Sequence, residues 1–248
     1  MRAVGEANAL RDYFGPKLRS TQGVTQEIVS SIRQQAEAED HDVISILTSK
    51  LNELRKGSVE MLWELRTFGL ECHVPLYINF DDAYEIIGGG KMLNISCIQL
   101  WCMYMDTIVV ESGRASIYGF LEPQTIQPFG NTLDFKKSYI QTWMTESNKE
   151  IYIAPYIDAK IKAELKSLIQ TVVTRTRGQQ LEIIYPKRNK QNDSWACGYY
   201  IMSWMKAIIR AEIRGEWTKR FNTTSPLSTS VIKTIREELA RYLNKHFK

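Results

Sequence analysis

The stretch NDSWACGYYIMSWMKAIIR, residues 192–210, limits what this chain can become more than any other. After Gly198 almost every uncharged residue is apolar: Tyr199, Tyr200, Ile201, Met202, Trp204, Met205, Ala207, Ile208 and Ile209. A helix that is apolar on most of its surface must be covered on most sides, which puts it in the middle of a domain. Cys197 stands at its head. Asp193 and Ser194 precede it as candidate capping residues, and Gly198 follows as a place for a tight turn.

Chemistry leaves two readings of Cys197. A free cysteine behaves as a small hydrophobe and is often simply buried. The alternative is a nucleophile, which requires the thiolate, and an ordinary thiol with a pKa of about 8.5 is mostly protonated at neutral pH. Unpaired N–H groups and the dipole at a helix N-terminus favour the anion. Gln191, six residues upstream, carries an amide that could donate to the oxyanion formed when a thiolate attacks a carbonyl.

The other cysteines exclude some chemistry. Cys97 and Cys102 have no neighbouring histidine and, with Cys72, no second CxxC half, so no zinc pattern exists and no metal is expected. Gly88-Gly89-Gly90 lacks the GxxxxGK[ST] context of a phosphate loop and reads as a turn, so no cofactor is expected. Asp81-Asp82 and Asp106 have no partners at ligand spacing and read as surface turns. The net charge of +4 comes with no sustained Lys/Arg stripe, which argues against a nucleic-acid partner. No membrane-length apolar run or secretory leader is visible, so neither membrane contact nor disulfides are expected, and the compartment is read as intracellular.

Along the chain, residues 1–70 read as a polar, helical extension, with Ile44, Leu47, Leu51 and Leu54 on one helical face. A second unit, 71–248, begins with the alternating strand VPLYINF (74–80). LNISCIQLWCMYM (93–105) reads as a buried helix and TIVVE (107–111) as a short strand. A loop spans 122–131, a helix 134–146 and a strand 150–154. A helix over 159–173 places Ile161, Leu165, Leu168 and Ile169 together, and LEIIYP (181–186) reads as a strand. An amphipathic helix over 231–242 closes the chain. Mixed helices and strands make the class α/β or α+β.

The residues around Cys197 also carry a resemblance. QNDSWACGYYIMSWM resembles the Gln-x5-Cys-Gly segment of the ubiquitin-like-protein-specific cysteine proteases, the SUMO-protease family, and is most similar to the branch often carried by transposable elements. SIYGFLEPQTI (116–126), SYIQTWMTESNKEIYIAPY (138–156) and IIYPKRNKQ (183–191) match in the same order, and the likeness covers roughly residues 75–215. It implies a papain-like α+β fold with Cys197 as nucleophile and Gln191 in the oxyanion hole. The implied substrate is the bond after the C-terminal glycine of a SUMO-like modifier, in a nuclear or cytoplasmic setting.

One part of the family pattern is missing. A His-Trp pair and an aspartate should lie between the strand ending IYIAPY and Gln191, yet IYIAPYID runs straight into AKIKAELKSLIQ. The three histidines, His41, His73 and His246, all fall elsewhere, and Ala196 precedes the cysteine where many relatives carry an acid. The expectation is an internal truncation near 157–159 that removes part of the central sheet with the base and its orienting acid. Activity would then be weak or lost, and the alternative is a non-catalytic protein-binding remnant.

Overall fold

A computed structural model describes residues 43–53, 57–71, 75–156, 163–177, 182–183, 195–212, 221 and 225–247. Residues 1–42, Leu54, Cys72, His73, Ile161, the 157–159 junction and Gln191–Ser194 lie outside these, as does all of LEIIYP except Glu182 and Ile183, which are not in a strand. The compact unit that holds the described elements runs Ile44–Lys248.

Helix α1 covers residues 43–53 and buries Leu47 and Leu51, as their spacing predicts. The expectation of helix up to residue 70 then fails. Ser58–Met61 is a strand, β1, whose alternation sends Val59 and Met61 inward and leaves Ser58 and Glu60 exposed. It pairs antiparallel with β2, Leu76–Asn79, in the register Ser58↔Asn79 to Met61↔Leu76. The ladder therefore spans the boundary at residue 70, since neither short strand can satisfy its backbone without the other. Between them, the single-turn α2 (Leu65–Phe68) ends at Gly69, which is left-handed at φ 67° and packed so closely on Trp143 that no Cβ fits.

Helix α3 (Phe80–Gly88) follows β2 directly, capped by the Asn79 side chain, which accepts from the Asp82 N–H. Gly89 terminates it in the left-handed region, so the glycine triplet is a helix end. Helix α4 (Ile95–Glu111) is the centre of the unit and touches β2, α2, β3, a short helix α5 (Pro123–Ile126), and two later helices. The strand expected at 107–111 is the last part of α4. Met105 and Val109 continue the buried face at helical spacing, and that packing outweighs the strand preference of Ile108, Val109 and Val110.

Strand β3 (Tyr118–Phe120) pairs parallel with β4 (Ile151–Ile153), in the register Tyr118↔Ile151 to Phe120↔Ile153. Helices α6 (Leu133–Ser147) and α7 (Ala163–Arg177) cover this pair. Tyr139, Ile140, Trp143 and Met144 meet Leu165, Ile169 and Val172 in a core that also takes Leu121 and Ile126. The last two elements are α8 (Cys197–Arg210) and α9 (Thr229–Asn244). Two small sheets and mixed helices make the described residues α+β. None of the described helices is long and apolar enough to cross a membrane.

The helix expected at the centre is not the one found there. Gly198, Tyr199, Tyr200, Met202, Met205 and Ile209 of α8 are buried, but Ile201, Trp204 and Ile208 are only half covered and Ala207 is exposed. α4 holds the central place because its neighbours come from both sequence directions.

Candidate functional site

Side-chain contacts fix the directions of the elements around Cys197. The Trp101 indole donates to the Met202 carbonyl at 3.2 Å, Cys102 Sγ lies 4.0 Å from Met205 Sδ, and the Arg114 guanidinium donates to the Ile209 carbonyl. These pairs ascend together, so α4 and α8 run parallel. β3 runs the other way: the Tyr118 hydroxyl donates to Ile208 O at 3.4 Å, while Gln99 Nε2 donates to Glu122 Oε1 just past the strand. The N-termini of α4 and α8 and the carboxyl ends of β3 and β4 therefore share one end of the unit. In parallel α/β arrangements the carboxyl ends of the strands are where ligands bind.

Cys197 is the first residue of α8, and Ala196 is its N-cap. Asp193 and Ser194, proposed as caps from the sequence, lie outside the described residues, and Ala196 itself offers no side-chain cap. Its first backbone bond runs from Tyr200 N–H to Ala196 O at 3.2 Å, so the N–H groups of Cys197, Gly198 and Tyr199 have no helical acceptor. Helices α3, α5, α6 and α9 are each capped by a side chain, from Asn79, Glu122, Thr132 and Ser228 respectively. Cys197 is a free thiol and half-buried, so the buried-hydrophobe reading of this residue does not hold. A partly exposed sulfur beside N–H donors that have no helical acceptor is a geometry in which an attacking thiolate and a developing oxyanion can be accommodated.

Gly198 works differently from the sequence reading. It has no positive φ and makes no special turn. A Cβ there would lie 3.1 Å from both Cβ and Cδ1 of Leu93 and 3.4 Å from Ile98 Cδ1, so glycine permits close approach of two helix starts. Trp195 is half-buried, edge-on to Tyr199 with ring centroids 6.0 Å apart.

Of the carboxylates read as surface turns, Asp81 is exposed, but Asp82 and Asp106 are buried side chains. Asp82, in the first turn of α3, accepts from the Ser96 hydroxyl at 3.0 Å. Asp106, within α4, accepts from the Thr67 hydroxyl at 2.9 Å, and burial raises its pKa above the usual carboxylate range, offset by that bond and by Arg66. The buried Glu122 was missed. Its oxygens accept from Gln124 N, Thr125 N and Gln99 Nε2, which caps α5 and secures the loop at the Cys197 end. The Glu-Pro pair at residues 122–123 signals such a cap in the sequence.

His246, the histidine among the described residues, sits at the wrong end. Helix α9 runs parallel to α8, since Tyr200 OH accepts from Leu227 N at 3.0 Å and Glu238 pairs with Lys206 at 2.7 Å and Arg210 at 3.2 Å. His246 comes after α9, stacked edge-on with Tyr242, and burial lowers its pKa. It is separated from Cys197 by about the length of α8, roughly 20 Å. Two hollows line α6, one of about 500 Å³ along Ser138, Gln141 and Thr145 and one of about 170 Å³ at Leu70, Phe135 and Tyr139; Cys197 borders neither. No group of three or more His, Cys, Asp or Glu among the described residues could hold a metal ion.

No family model, no curated protein and no solved structure matches this chain.

Proposed function

We propose that the chain is a cysteine-peptidase-type domain of the SUMO-protease kind, in which Cys197 is the nucleophile and Gln191 an oxyanion donor. The observation that carries the reading is the half-buried Cys197 thiol at the N-terminus of α8, at the end where β3 and β4 finish. The ordered motif resemblance supplies the substrate class, the bond after the C-terminal glycine of a SUMO-like modifier, and a papain-like fold. Thiolate attack on that carbonyl forms a tetrahedral oxyanion, which the N–H groups at the start of α8 and the Gln191 amide would stabilise. Collapse to a thioester releases the amine, and water then hydrolyses the thioester.

The placement of His246 favours a second reading. A nucleophile working without its general base forgoes about 10²–10⁴ in rate, or roughly 3–5 kcal/mol of barrier. Cysteine tolerates the loss better than serine, because a few per cent of an ordinary thiol is ionised at neutral pH. The domain then acts as a slow enzyme or as a non-catalytic modifier-binding remnant.

Covalent trapping separates these readings. The chain is incubated with SUMO and with ubiquitin, each bearing a C-terminal electrophile, beside a Cys197→Ala control. Labelling by SUMO that vanishes in the control supports the peptidase reading. A folded sample that takes up neither probe, but still binds SUMO, leaves the binding remnant.

A further inference from the structure

Resting on the reading of Cys197 as nucleophile, we infer that Leu93 is a positioning residue: pressed against the bare Cα of Gly198, it sets the height of the α8 N-terminus on α4 and so the placement of the Cys197 sulfur. The body of α8 is held elsewhere, by Trp101 to Met202, Cys102 to Met205 and Arg114 to Ile209. Those contacts leave the first turn to be fixed separately. Ala196, at the N-cap, has no side chain that can bond the first turn, so a tertiary contact on that turn bears directly on where it sits.

Leu93 has the right place and stiffness for that role. It is 8% exposed and precedes the Asn94 N-cap of α4, while its neighbour Met92 is 62% exposed. Leu93 is thus the point at which the chain turns from solvent into the core. Ile98, 4% exposed, backs it from one turn into α4. A Cβ on Gly198 would meet Leu93 at 3.1 Å, closer than ordinary van der Waals contact, so any side chain there displaces either Leu93 or the start of α8. The Tyr199 hydroxyl, donating to Glu85 O at 3.4 Å, ties the same turn to α3.

The test uses the whole chain and reads iodoacetamide alkylation of Cys197 by site-resolved mass spectrometry, with the SUMO electrophile in parallel. Gly198→Ala is expected to slow alkylation by about threefold or more while the melting temperature moves by less than about 3 °C. With SUMO, it lowers the maximal trapping rate and leaves the half-saturating concentration unchanged. Leu93→Ala by itself removes the Cδ1 support and is expected to change the Cys197 rate by about threefold or more as well. An unchanged rate in folded Gly198→Ala, or in folded Leu93→Ala, overturns the proposal. Should Gly198→Ala not fold, Leu93→Val decides: it removes the Cδ1 contact, and an unchanged Cys197 rate sinks the idea. If SUMO never labels the wild-type chain but the alkylation coupling holds, the peptidase reading falls and the positioning role stands.

Discussion

Cys97 stands in the first turn of α4 and Cys197 at the first position of α8, on helices that lie side by side and point the same way. Neither N-cap residue, Asn94 or Ala196, caps its helix through a side chain. Both sulfurs sit near the positive end of a helix dipole, yet their surroundings differ completely. Cys97 is fully enclosed, and burial, with the nearby Asp82 carboxylate adding to it, pushes its thiol far above the ordinary range. Cys197 is half-buried. Cys97 shows that a place in the first turn of a helix does not favour a thiolate once the charge is stripped of solvent. The desolvation cost of a buried anion exceeds what a helix dipole returns.

The largest effect expected from this contrast is in native-state alkylation. Cys197 should react with iodoacetamide about 10³-fold faster than Cys97 or Cys102, because the buried thiols must wait for the core to open. Site-resolved mass spectrometry in native buffer and in denaturant checks this, and the rates should converge when the chain is unfolded. Equal native rates would break the comparison.

The same asymmetry should extend along the two helices. Leu100 on α4 is fully buried, so Leu100→Ala should cost about 3–4 kcal/mol, read from the denaturation midpoint. Ile208 on α8 is half covered, and Ile208→Ala should cost about 1 kcal/mol. Similar costs would mean that α8 is packed more fully than its exposure indicates.

The smallest effect concerns pH. Asp106 on α4 has a folded-state pKa raised above its ordinary value of 3.8, mainly by burial. Folding therefore favours its protonated form, and its contribution to stability falls as pH rises from 3.8 through the folded-state pKa, then stays constant. Asp106→Asn should remove that slope and change stability near neutral pH by about 1 kcal/mol or less, since an amide can still accept from Thr67. Stability of the two chains measured across this range tests the sign; a wild-type stability that rises with pH relative to Asp106→Asn there would contradict it.

Much of the scaffold was readable from periodicity. Leu47 and Leu51, the buried start of α4, and Leu165 with Ile169 all fall at helical spacing and are buried where that spacing puts them. β2 was legible from its alternation. β1 was not, because four residues with one glutamate carry little signal until a partner strand defines their faces. The extension of α4 through Ile108, Val109 and Val110 was obscured by strand-favouring residues. Asp82, Asp106 and Glu122 were unreadable as buried groups, because the hydroxyl, amide and backbone donors that compensate them come from other elements.

The sequence by itself determined that Cys197 would head a helix, because a run of helix-compatible residues is a local property, but the reading of that helix as apolar on most sides did not hold. The tertiary structure decided which helix lies at the centre, that Cys97 is enclosed while Cys197 keeps an open side, and that Gly198 is needed for close approach to Leu93. Those outcomes depend on how elements far apart in the chain pack. Desolvation and steric contact arise only when that packing is complete.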